Sequence, residues 1–573
     1  MAMRAALLSL SKRFGQANFF AARFHGSAIL LVLPQLVALG IMLATENNSI
    51  SIAGYLLGWG LLNFLLLAFV RRPAVAGLVA LILVTLLVLL SQLKYDVMWM
   101  TANFVDVMIV DTDTIAFLFT IFPDLRWFAA LGAVVLIPIV ALAWRYDPFR
   151  VRRPAALILA LGCLVGLTIL EKALPLVPYQ AFYGGNEFSS FARSGVDAVS
   201  ALMTQGLMES DPGVTGSLPP AAACRPAKKP PHIILVHDES SFDIRRAPDV
   251  DVPEGYGAHF LSFDGKERNF IVEGNGGPSW YTEYNVLDGL AARTFGAFSY
   301  FVTRIAAGRV KRGLPAALER CGYRTYTLYP AYGAFLSEKS FEASAGVKFF
   351  FDKDDLNASG IEPDSFFYDA ALKLFRKQHA SGPMFVYVYL EANHLPWNPN
   401  HPFRPDLTPP QWKDPGNDDV EVDEYLRRQA MSAHDYAQFL AKLKREFPDD
   451  SFLLVRYGDH QPYFSTEIIE PNLSNAAIQR RLMMHDPRYF TTYYAIDAVN
   501  FKPVDVSSAL DTLEGPYLPL VTLEAAGLPL DPSFAAQKRI LQRCHGLFYG
   551  CDDGATARRF NRLLIDSGLI QHL

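Results

Sequence analysis

The chain has 573 residues, which is enough for two or three domains. Its formal net charge is -5 and no run of Lys or Arg is longer than two residues, so the composition argues against nucleic acid as a partner. Hydrophobic residues make up 51% of the chain and charged residues 19%, but these averages combine an apolar N-terminal part with a C-terminal part of ordinary soluble composition.

Five apolar stretches are long enough to cross a bilayer, which takes about 20 helical residues. The predicted spans are residues 28–46, 53–70, 75–93, 127–144 and 155–172. No small-residue cleavage site follows the first stretch, so this stretch is predicted to be a signal anchor that stays on the protein. The sequence therefore predicts a transmembrane domain of five spans over residues 1–175.

Positively charged residues are concentrated in every second loop between the predicted spans. They precede the first span and occupy the second and fourth loops, whereas the first loop has none and the third is acidic. The positive residues are Lys12, Arg13, Arg23, Arg71, Arg72, Arg145, Arg150, Arg152 and Arg153. Because positive loops stay on the cytoplasmic side, the pattern predicts that the N-terminus is inside and that everything after residue 175 is outside.

Two further segments complete the predicted membrane part. Residues 101–122 are apolar but interrupted by acids, which is typical of an interfacial or re-entrant helix. A sixth span is the alternative, and it would reverse the predicted sidedness. Residues 176–231 are predicted to be a juxtamembrane linker, with a weakly amphipathic helix at 188–203 and a Pro-, Ala- and Gly-rich tether at 213–231.

Residues 232–573 alternate apolar strands with helical patterns. The predicted strands are 232–236, 323–329, 348–351, 384–390 and 451–457. The predicted helices include 280–293, 312–321, 362–378 and 421–446. Continuous apolar strands between helices indicate an α/β domain with a mostly parallel central sheet. In such sheets, ligands bind beyond the carboxyl ends of the strands.

Acidic and histidine side chains follow three of the predicted strands. These residues are His237, Asp238 and Glu239 after the first, Glu391, Asn393 and His394 after the fourth, and Asp459 and His460 after the fifth. Carboxylates and imidazoles are the usual ligands of zinc, manganese or magnesium. One such group alone would more simply be a loop carboxylate or a capping histidine. Three groups at three strand ends favour a metal site.

A Gly-rich turn, EGNGGPSW, leads into a predicted helix at Ser279. The N-terminus of a helix offers unpaired N–H groups and a positive dipole end, which suit a phosphate or a sulfate. A hydroxyl coordinated to a metal at this position can ionise and attack phosphorus or sulfur. The alternative is that Ser279 only caps the helix.

Four of the five cysteines fall in the C-terminal part, and no C-x-x-C pair occurs. An exported domain with an even number of cysteines favours two disulfides, among which Cys544 with Cys551 is the predicted pair. Reduced thiols are the alternative if the domain is cytoplasmic. Cys163 lies inside an apolar run and is predicted to pack there.

Four motifs of the C-terminal part resemble the sulfatase branch of the alkaline phosphatase superfamily. They are ILVHDESSF, GGPSWYTEYNVLDGL, ANHLPW and YGDHQ, in that order along the chain. Within the branch, the chain is similar to lipoteichoic acid synthases and periplasmic glucan phosphoglycerol transferases. Those families join five N-terminal spans to an extracytoplasmic domain, which matches the plan predicted for the whole chain.

The resemblance implies a role for each motif residue. Glu239, Asp459 and His460 would bind one divalent metal ion, which would be Mn, Zn or Mg. Ser279 would be both a ligand and the nucleophile, and His394 would contact the substrate. The family nucleophile is usually Thr, so Ser279 is a departure. Lipoteichoic acid synthases also have a Trp and an Arg near the segment that matches 332–341, and this chain has neither there.

The resemblance further implies a multi-pass protein of the bacterial inner membrane with a periplasmic catalytic domain. Its reaction would move phosphoglycerol from a phospholipid donor to a periplasmic glycan or a lipid-linked acceptor. The alternatives are a phosphoethanolamine transferase, a metal-dependent phosphate or sulfate ester hydrolase, and a membrane scaffold or sensor without activity. The C/S-x-P-x-R signal for formylglycine is absent at Ser279, which argues against a sulfatase proper.

Overall fold

The computed structural model describes residues 29–98, 100–110, 115, 118–119, 122–176, 184–226, 229–571 and 573. The chain divides into two compact units, an N-terminal unit, Met1–Met203, and a C-terminal unit, Thr204–Leu573. The described helices that begin in the N-terminal unit are α1 (Ile29–Thr45), α2 (Ser49–Val70), α3 (Pro73–Met98), α4 (Phe104–Ile109), α5 (Leu125–Tyr146), α6 (Arg153–Ala173) and α7 (Glu187–Gln205).

Each of the five predicted spans falls on one of these helices. By length and composition, α2, α3, α5 and α6 could cross a membrane. The apolar helix α1 is shorter, and the residues before it lie outside the described part. The described chain therefore has four helices of spanning length, and the predicted count of five is not confirmed. Of the predicted interfacial segment 101–122, the structure describes α4, while several later residues lie outside the described part.

Helix α7 covers the segment predicted to be a weakly amphipathic helix of the juxtamembrane linker, and it packs closely against α2. A Cβ atom added at Gly54 of α2 would lie 3.2 Å from the Ser189 side chain, and one added at Gly58 would lie 2.9 Å from Ala192. Buried Arg193 of α7 also forms an ion pair of 2.8 Å with Glu171 of α6. One face of α7 is therefore fixed against the helices of the N-terminal unit.

The C-terminal unit contains an α/β domain. Its strands are β1 (His232–Asp238), β2 (Asn269–Ile271), β3 (Arg324–Leu328), β4 (Phe349–Phe351), β5 (Met384–Tyr389), β6 (Phe452–Gly458), β7 (Thr491–Val499) and β8 (Thr512–Glu514). Its helices are α8 (Ser279–Asp288), α9 (Val302–Ala306), α10 (Leu314–Arg320), α11 (Glu338–Ala345), α12 (Lys353–Leu356), α13 (Asp364–Gln378), α14 (Val420–Glu446), α15 (Ser465–Ile468), α16 (Asn475–Met483), α17 (Pro487–Phe490), α18 (Leu518–Ala525), α19 (Pro532–Cys544) and α20 (Ala555–Asp566).

The eight strands form one sheet in the order β4-β3-β5-β1-β6-β7-β2-β8. All pairs are parallel except β6 with β7 and β2 with β7, so the predicted mostly parallel sheet is confirmed. In the register of the central strands, His237 lies beside Tyr389 and Tyr457, and Asp238 lies beside Gly458. The carboxyl ends of β1, β5 and β6 therefore meet at one edge, as the sequence predicted.

A hydrophobic core lies between this sheet and the helices α13 and α14. Val236 of β1 and Leu454 of β6 pack there with Phe375 of α13 and Phe439 of α14. Neighbouring residues of a strand point to opposite faces, so His237 points away from this core. The apolar core thus packs on one face of the sheet and fixes the end of β1, and the candidate site lies on the opposite face.

The sequence predicted β1, β3, β4, β5 and β6 but did not predict β2, β7 and β8. Strands β2 and β8 have three residues each, which is too short for a periodic pattern. The sequence of β7, TTYYAIDAV, is rich in β-branched and aromatic residues and could have been recognised. β7 is the strand that brings the antiparallel pairs into the sheet.

Two disulfides are present in the C-terminal unit, Cys224 with Cys321 and Cys544 with Cys551. Both the predicted number and the predicted Cys544–Cys551 pair are confirmed. Cys163, in the N-terminal unit, is unpaired. Part of the predicted linker runs along the C-terminal unit, since the Glu209 N–H donates to the Thr294 carbonyl at 2.7 Å.

Candidate active site

The end of β1 brings an imidazole and a carboxylate to the carboxyl edge of the sheet. The Nδ1 atom of His237 lies 3.0 Å from the Tyr387 hydroxyl and 2.9 Å from the Tyr457 hydroxyl. Its ring stacks on Tyr389, with 3.7 Å between the ring centroids. The imidazole is therefore held by three aromatic side chains of the adjacent strands. Glu239 follows two residues later and is 3% exposed.

The end of β6 contributes Asp459 and His460, directly after Gly458. A Cβ atom at Gly458 would lie 1.7 Å from the Ser241 carbonyl oxygen, so only glycine allows the two chain segments to approach this closely. The Oδ1 atom of Asp459 accepts hydrogen bonds from the backbone N–H groups of Ser240, at 2.7 Å, and His460, at 2.8 Å. These contacts fix one carboxylate oxygen and leave Oδ2 facing the site.

Helix α8 begins at Ser279, as the sequence predicted. The residue in the capping position is Pro278, and no side chain caps this helix end. The Ser279 hydroxyl instead lies 3.3 Å from Glu239 Oε2 and 3.3 Å from His460 Nε2. The capping alternative is therefore wrong, because the hydroxyl faces the carboxylate and the imidazole rather than the helix backbone.

The acidic and imidazole groups converge on a small volume. Ligand atoms of His237, Glu239 and Asp459 all lie within 4.8 Å of one another, and these residues are buried. The Nε2 atom of His460 lies 3.3 Å from Asp459 Oδ2 and 3.6 Å from Glu239 Oε1. The structure thus brings together Glu239, Ser279, Asp459 and His460, four residues that the sequence had singled out in three distant segments.

The two carboxylates of the site have opposite electrostatic environments. Burial raises the pKa of Glu239, and the nearby Asp459 carboxylate raises it further. Burial also opposes ionisation of Asp459, but His460 and His237 outweigh it and hold the pKa of this carboxyl below its usual range. Two buried carboxylates in contact repel each other unless a positive charge lies between them.

The residues present fit a divalent cation. Asp459 Oδ2 and His237 Nε2 are buried and lack a hydrogen-bond partner in the described chain. Such atoms are rare in folded proteins, because a buried polar atom without a partner loses its hydration without compensation. Carboxylate oxygens and imidazole nitrogens are the donors expected at zinc or manganese sites.

His394 occupies a different position from the other predicted site residues. It is exposed, and its ring Nδ1 lies 2.8 Å from the Leu395 carbonyl oxygen. Its described hydrogen bond is thus with its own loop and not with Ser279 or the two carboxylates. Arg428 holds this loop by donating to the carbonyls of His394, at 2.7 Å, and Pro396, at 2.8 Å.

His237 was expected from the sequence at a strand end, but it was not among the predicted site residues. Residues two apart on an extended segment point to the same side, so His237 and Glu239 could have been recognised as a pair. The signal was present in the HDE segment, but no motif of the resembled families drew attention to it. The tyrosines that hold His237 were not recognised at all.

Solved structures similar to this chain include a lipoteichoic acid synthase, a phosphoglycerol transferase and a phosphoethanolamine transferase. A lipoteichoic acid synthase, LtaP, from Listeria monocytogenes is 16% identical, covering 54% of this chain and 74% of its own with a TM-score of 0.42. The phosphoglycerol transferase GacH of Streptococcus pyogenes is 16% identical, with 60% and 87% covered and a TM-score of 0.46. The lipooligosaccharide phosphoethanolamine transferase EptA of Neisseria meningitidis is 12% identical, with 87% and 95% covered and a TM-score of 0.42.

No curated protein sequence matches this chain. The sulfatase family model matches residues 281–510. This range contains His394, Asp459 and His460, and it begins two residues after Ser279. This match over residues 281–510 confirms the sulfatase resemblance that the motifs predicted for this part of the chain.

Proposed function

We propose that this chain is a membrane-anchored transferase that moves phosphoglycerol, or a similar phospho-headgroup, from a phospholipid to a periplasmic glycan through a covalent ester on Ser279. The observation that carries the proposal is the position of the Ser279 hydroxyl. It lies 3.3 Å from both Glu239 Oε2 and His460 Nε2, at the first turn of α8. A hydroxyl that is not used for capping is available as a nucleophile.

The proposed metal ligands are Glu239, Ser279, Asp459 and His460, around one divalent ion such as Mn, Zn or Mg. When bound, the ion would lower the pKa of the serine hydroxyl and offset the negative charge of the phosphate. The repulsion between the buried carboxylates of Glu239 and Asp459, together with the unpartnered Asp459 Oδ2, supports a cation at this point.

The reaction has two steps. In the first, Ser279 Oγ loses its proton and bonds to the phosphorus of the lipid diester. The bond from phosphorus to the diacylglycerol oxygen breaks, and this oxygen takes up a proton to leave diacylglycerol. In the second step, an acceptor hydroxyl gives up its proton and bonds to phosphorus, and the bond to Ser279 Oγ breaks.

The other predicted residue, His394, is proposed to steady the phosphate or to protonate the leaving oxygen. Its exposure leaves it free to contact a substrate. The N-terminal positive end of α8 favours the negative phosphate ester on Ser279. The helices of membrane-spanning length explain why a lipid is the proposed donor, because they keep the enzyme at the membrane.

Replacement of Ser279 tests the nucleophile. Full-length protein is incubated with vesicles that contain phosphatidylglycerol and phosphatidylethanolamine, quenched in acid and digested for peptide mass spectrometry. We expect a phospho-headgroup on the peptide with Ser279 in the native protein and none in Ser279→Ala. The conservative Ser279→Thr should retain the adduct, because the hydroxyl and its position are kept.

The mass of the adduct distinguishes a phosphoglycerol from a phosphoethanolamine ester. Folding of each variant is checked by the formation of both disulfides and by thermal unfolding. Release of diacylglycerol at the native rate by Ser279→Ala would refute the covalent mechanism. An adduct that is released only to water, with every glycan acceptor tested, would instead indicate an ester hydrolase.

A further inference from the structure

His237 has one ring nitrogen that the fold holds and one that it leaves open. Nδ1 lies within hydrogen-bond distance of two tyrosine hydroxyls, at 3.0 and 2.9 Å. Nε2 is buried and has no hydrogen-bond partner in the described chain. It lies 3.2 Å from Asp459 Oδ2 and 4.0 Å from Glu239 Oε2. Buried polar atoms in folded proteins almost always have a partner, so a nitrogen buried beside two carboxylates points to a ligand that binds it.

The spacing of the surrounding atoms is that of ligands around one ion. Zn–N and Zn–O bonds of about 2.1 Å place neighbouring ligand atoms of a four- or five-coordinate ion about 3.0 to 3.6 Å apart. Asp459 Oδ2 lies 3.2 Å from His237 Nε2 and 3.3 Å from His460 Nε2. Ser279 Oγ lies 3.3 Å from His460 Nε2 and 3.3 Å from Glu239 Oε2. His237 Nε2 therefore lies about as far from Asp459 Oδ2 as His460 Nε2 does, while Glu239 Oε2 lies 4.0 Å from His237 Nε2.

The alternative is that His237 only donates a hydrogen bond to Asp459. The distance of 3.2 Å would allow it, but the pair lacks the geometry of a hydrogen bond, so both atoms are without a partner. A proton on Nδ1 can instead be donated to the hydroxyl of Tyr387 or Tyr457. This tautomer leaves the Nε2 lone pair free. Metal-binding histidines commonly donate their other N–H group in this way.

We infer that His237 is a direct ligand of the cation, and that with His460 it makes the site select Zn²⁺ over Mg²⁺. The donor set becomes two imidazole nitrogens, two carboxylates and the serine oxygen. Imidazole nitrogens suit zinc, whereas magnesium prefers oxygen donors and retains water. The inference rests on the metal site of the proposed function. It adds a fifth ligand to that site and a preference for Zn²⁺ over Mg²⁺.

Counting the imidazoles bound to the ion tests this ligand. Full-length native protein is stripped of metal, loaded with one equivalent of Zn²⁺ and measured by X-ray absorption spectroscopy. We expect two imidazole ligands in the native protein and one in His237→Gln. His460→Gln is the matched control and should also show one. A single imidazole in the native protein would overturn the inference, even if His237→Gln failed to fold.

A second measurement tests selectivity. Competition titrations should show tighter binding of Zn²⁺ than of Mg²⁺ by the native protein. His237→Gln should weaken zinc binding by about tenfold or more, with a smaller effect on magnesium. Because loss of an indirect contact can weaken binding to a similar extent, the selectivity ratio and the imidazole count are read together. Equal weakening for both ions would overturn the proposed selectivity.

The control variant Tyr387→Phe removes one hydrogen-bond partner of His237 Nδ1 but keeps Tyr457. It should retain two imidazole ligands, and a loss of one would mean that the ring is held differently from the described geometry.

The test of this inference can be separated from the test of the proposed function. Two imidazoles in a protein that forms no adduct on Ser279 would refute the transferase alone, whereas one imidazole with full transfer would refute this inference alone.

Discussion

Three buried glutamates lie near the nucleophile helix without a hydrogen-bond partner for several of their oxygens. Glu283, one turn after Ser279, and Glu338 and Glu342 of α11 are each at most 1% exposed. Both carboxyl oxygens of Glu338 and one of each other glutamate lack a partner in the described chain. Burial raises the pKa of all three, and for Glu338 the value is about 8.

This cluster predicts that stability falls as the pH rises. Glu338 is protonated in the folded chain up to a pKa of about 8, whereas an ordinary glutamate ionises near 4.5. Between these values the folded state binds more protons than the unfolded state, so the free energy of unfolding decreases with pH. The contribution of Glu338 to the free energy of unfolding is complete below pH 4.5 and is lost as the pH rises through 8.

Glu338→Gln should therefore unfold at a higher temperature than the native protein at pH 8.5 and at nearly the same temperature at pH 5. Thermal unfolding of purified protein across this range measures the difference. Exposed Glu319, whose side chain pairs with Lys348, supplies the control variant Glu319→Gln, which should keep the native pH dependence. An unchanged slope in Glu338→Gln would contradict the protonated cluster.

At the scale of elements, helix α14 fixes the loop that carries His394. Arg428 of α14 is buried, and its guanidinium donates to the carbonyls of Ala392, His394 and Pro396. Its Nε–H donates to Glu424 Oε1 at 2.8 Å. One side chain therefore holds residues 392–396, at the start of the loop between β5 and α14, and with them the proposed substrate-binding histidine.

We expect Arg428→Met to reduce headgroup transfer by about 10- to 100-fold, because a displacement of about 1 Å can cost this much in rate. If Arg428 acts through His394, its effect should nearly vanish in a His394→Gln background. Transfer rates of both single variants and of the double variant measure this coupling. Fully additive losses would contradict the positioning role.

The neighbouring Arg427 provides a matched control. It also pairs with Glu424, at 2.8 Å, but it donates to Phe403 and Thr408, in a later part of the same loop, instead of to residues 392–396. Arg427→Met therefore removes a similar side chain from the same helix. We expect it to leave the transfer rate close to native, with thermal unfolding reporting any loss of stability separately.

At the scale of the whole molecule, charge pattern and disulfides both indicate an exported C-terminal unit. The positive loops predict that residues after 175 lie outside the cytoplasm. The Cys224–Cys321 and Cys544–Cys551 bridges are typical of oxidising compartments. The first disulfide joins residues 97 positions apart and so closes a long loop. It is expected to contribute roughly 4–5 kcal/mol to the free energy of unfolding, because it restricts the conformations of the unfolded chain.

Reporter fusions test the predicted sidedness. A reporter that is active only outside the cytoplasm should be active when fused after residue 573 and inactive when fused after Arg72. A reporter that fluoresces only in the cytoplasm should give the opposite result. Fluorescence from the fusion after residue 573 would contradict the five-span arrangement and would favour an even number of crossings.

Much of the fold followed from local patterns. Apolar stretches located the helices of the N-terminal unit, and β-rich runs located the five central and outer parallel strands. The short strands β2 and β8 were not predictable, because their three residues gain their conformation from pairing, β2 with β7 and β8 with β2. The count of membrane spans also depends on more than composition, since α1 is shorter than the other candidate spans.

The sequence by itself determined which residue types stand at the strand ends and at the start of α8, and the resemblance of its motifs implied that Glu239, Ser279, Asp459 and His460 belong to one site. Only the tertiary structure decided that the Ser279 hydroxyl faces this site instead of capping its helix, and that His237 adds a nitrogen to it. Pattern and propensity act over a few neighbouring residues. Which side chains meet depends on strand order and register, and these are set by packing between residues that are distant in the chain.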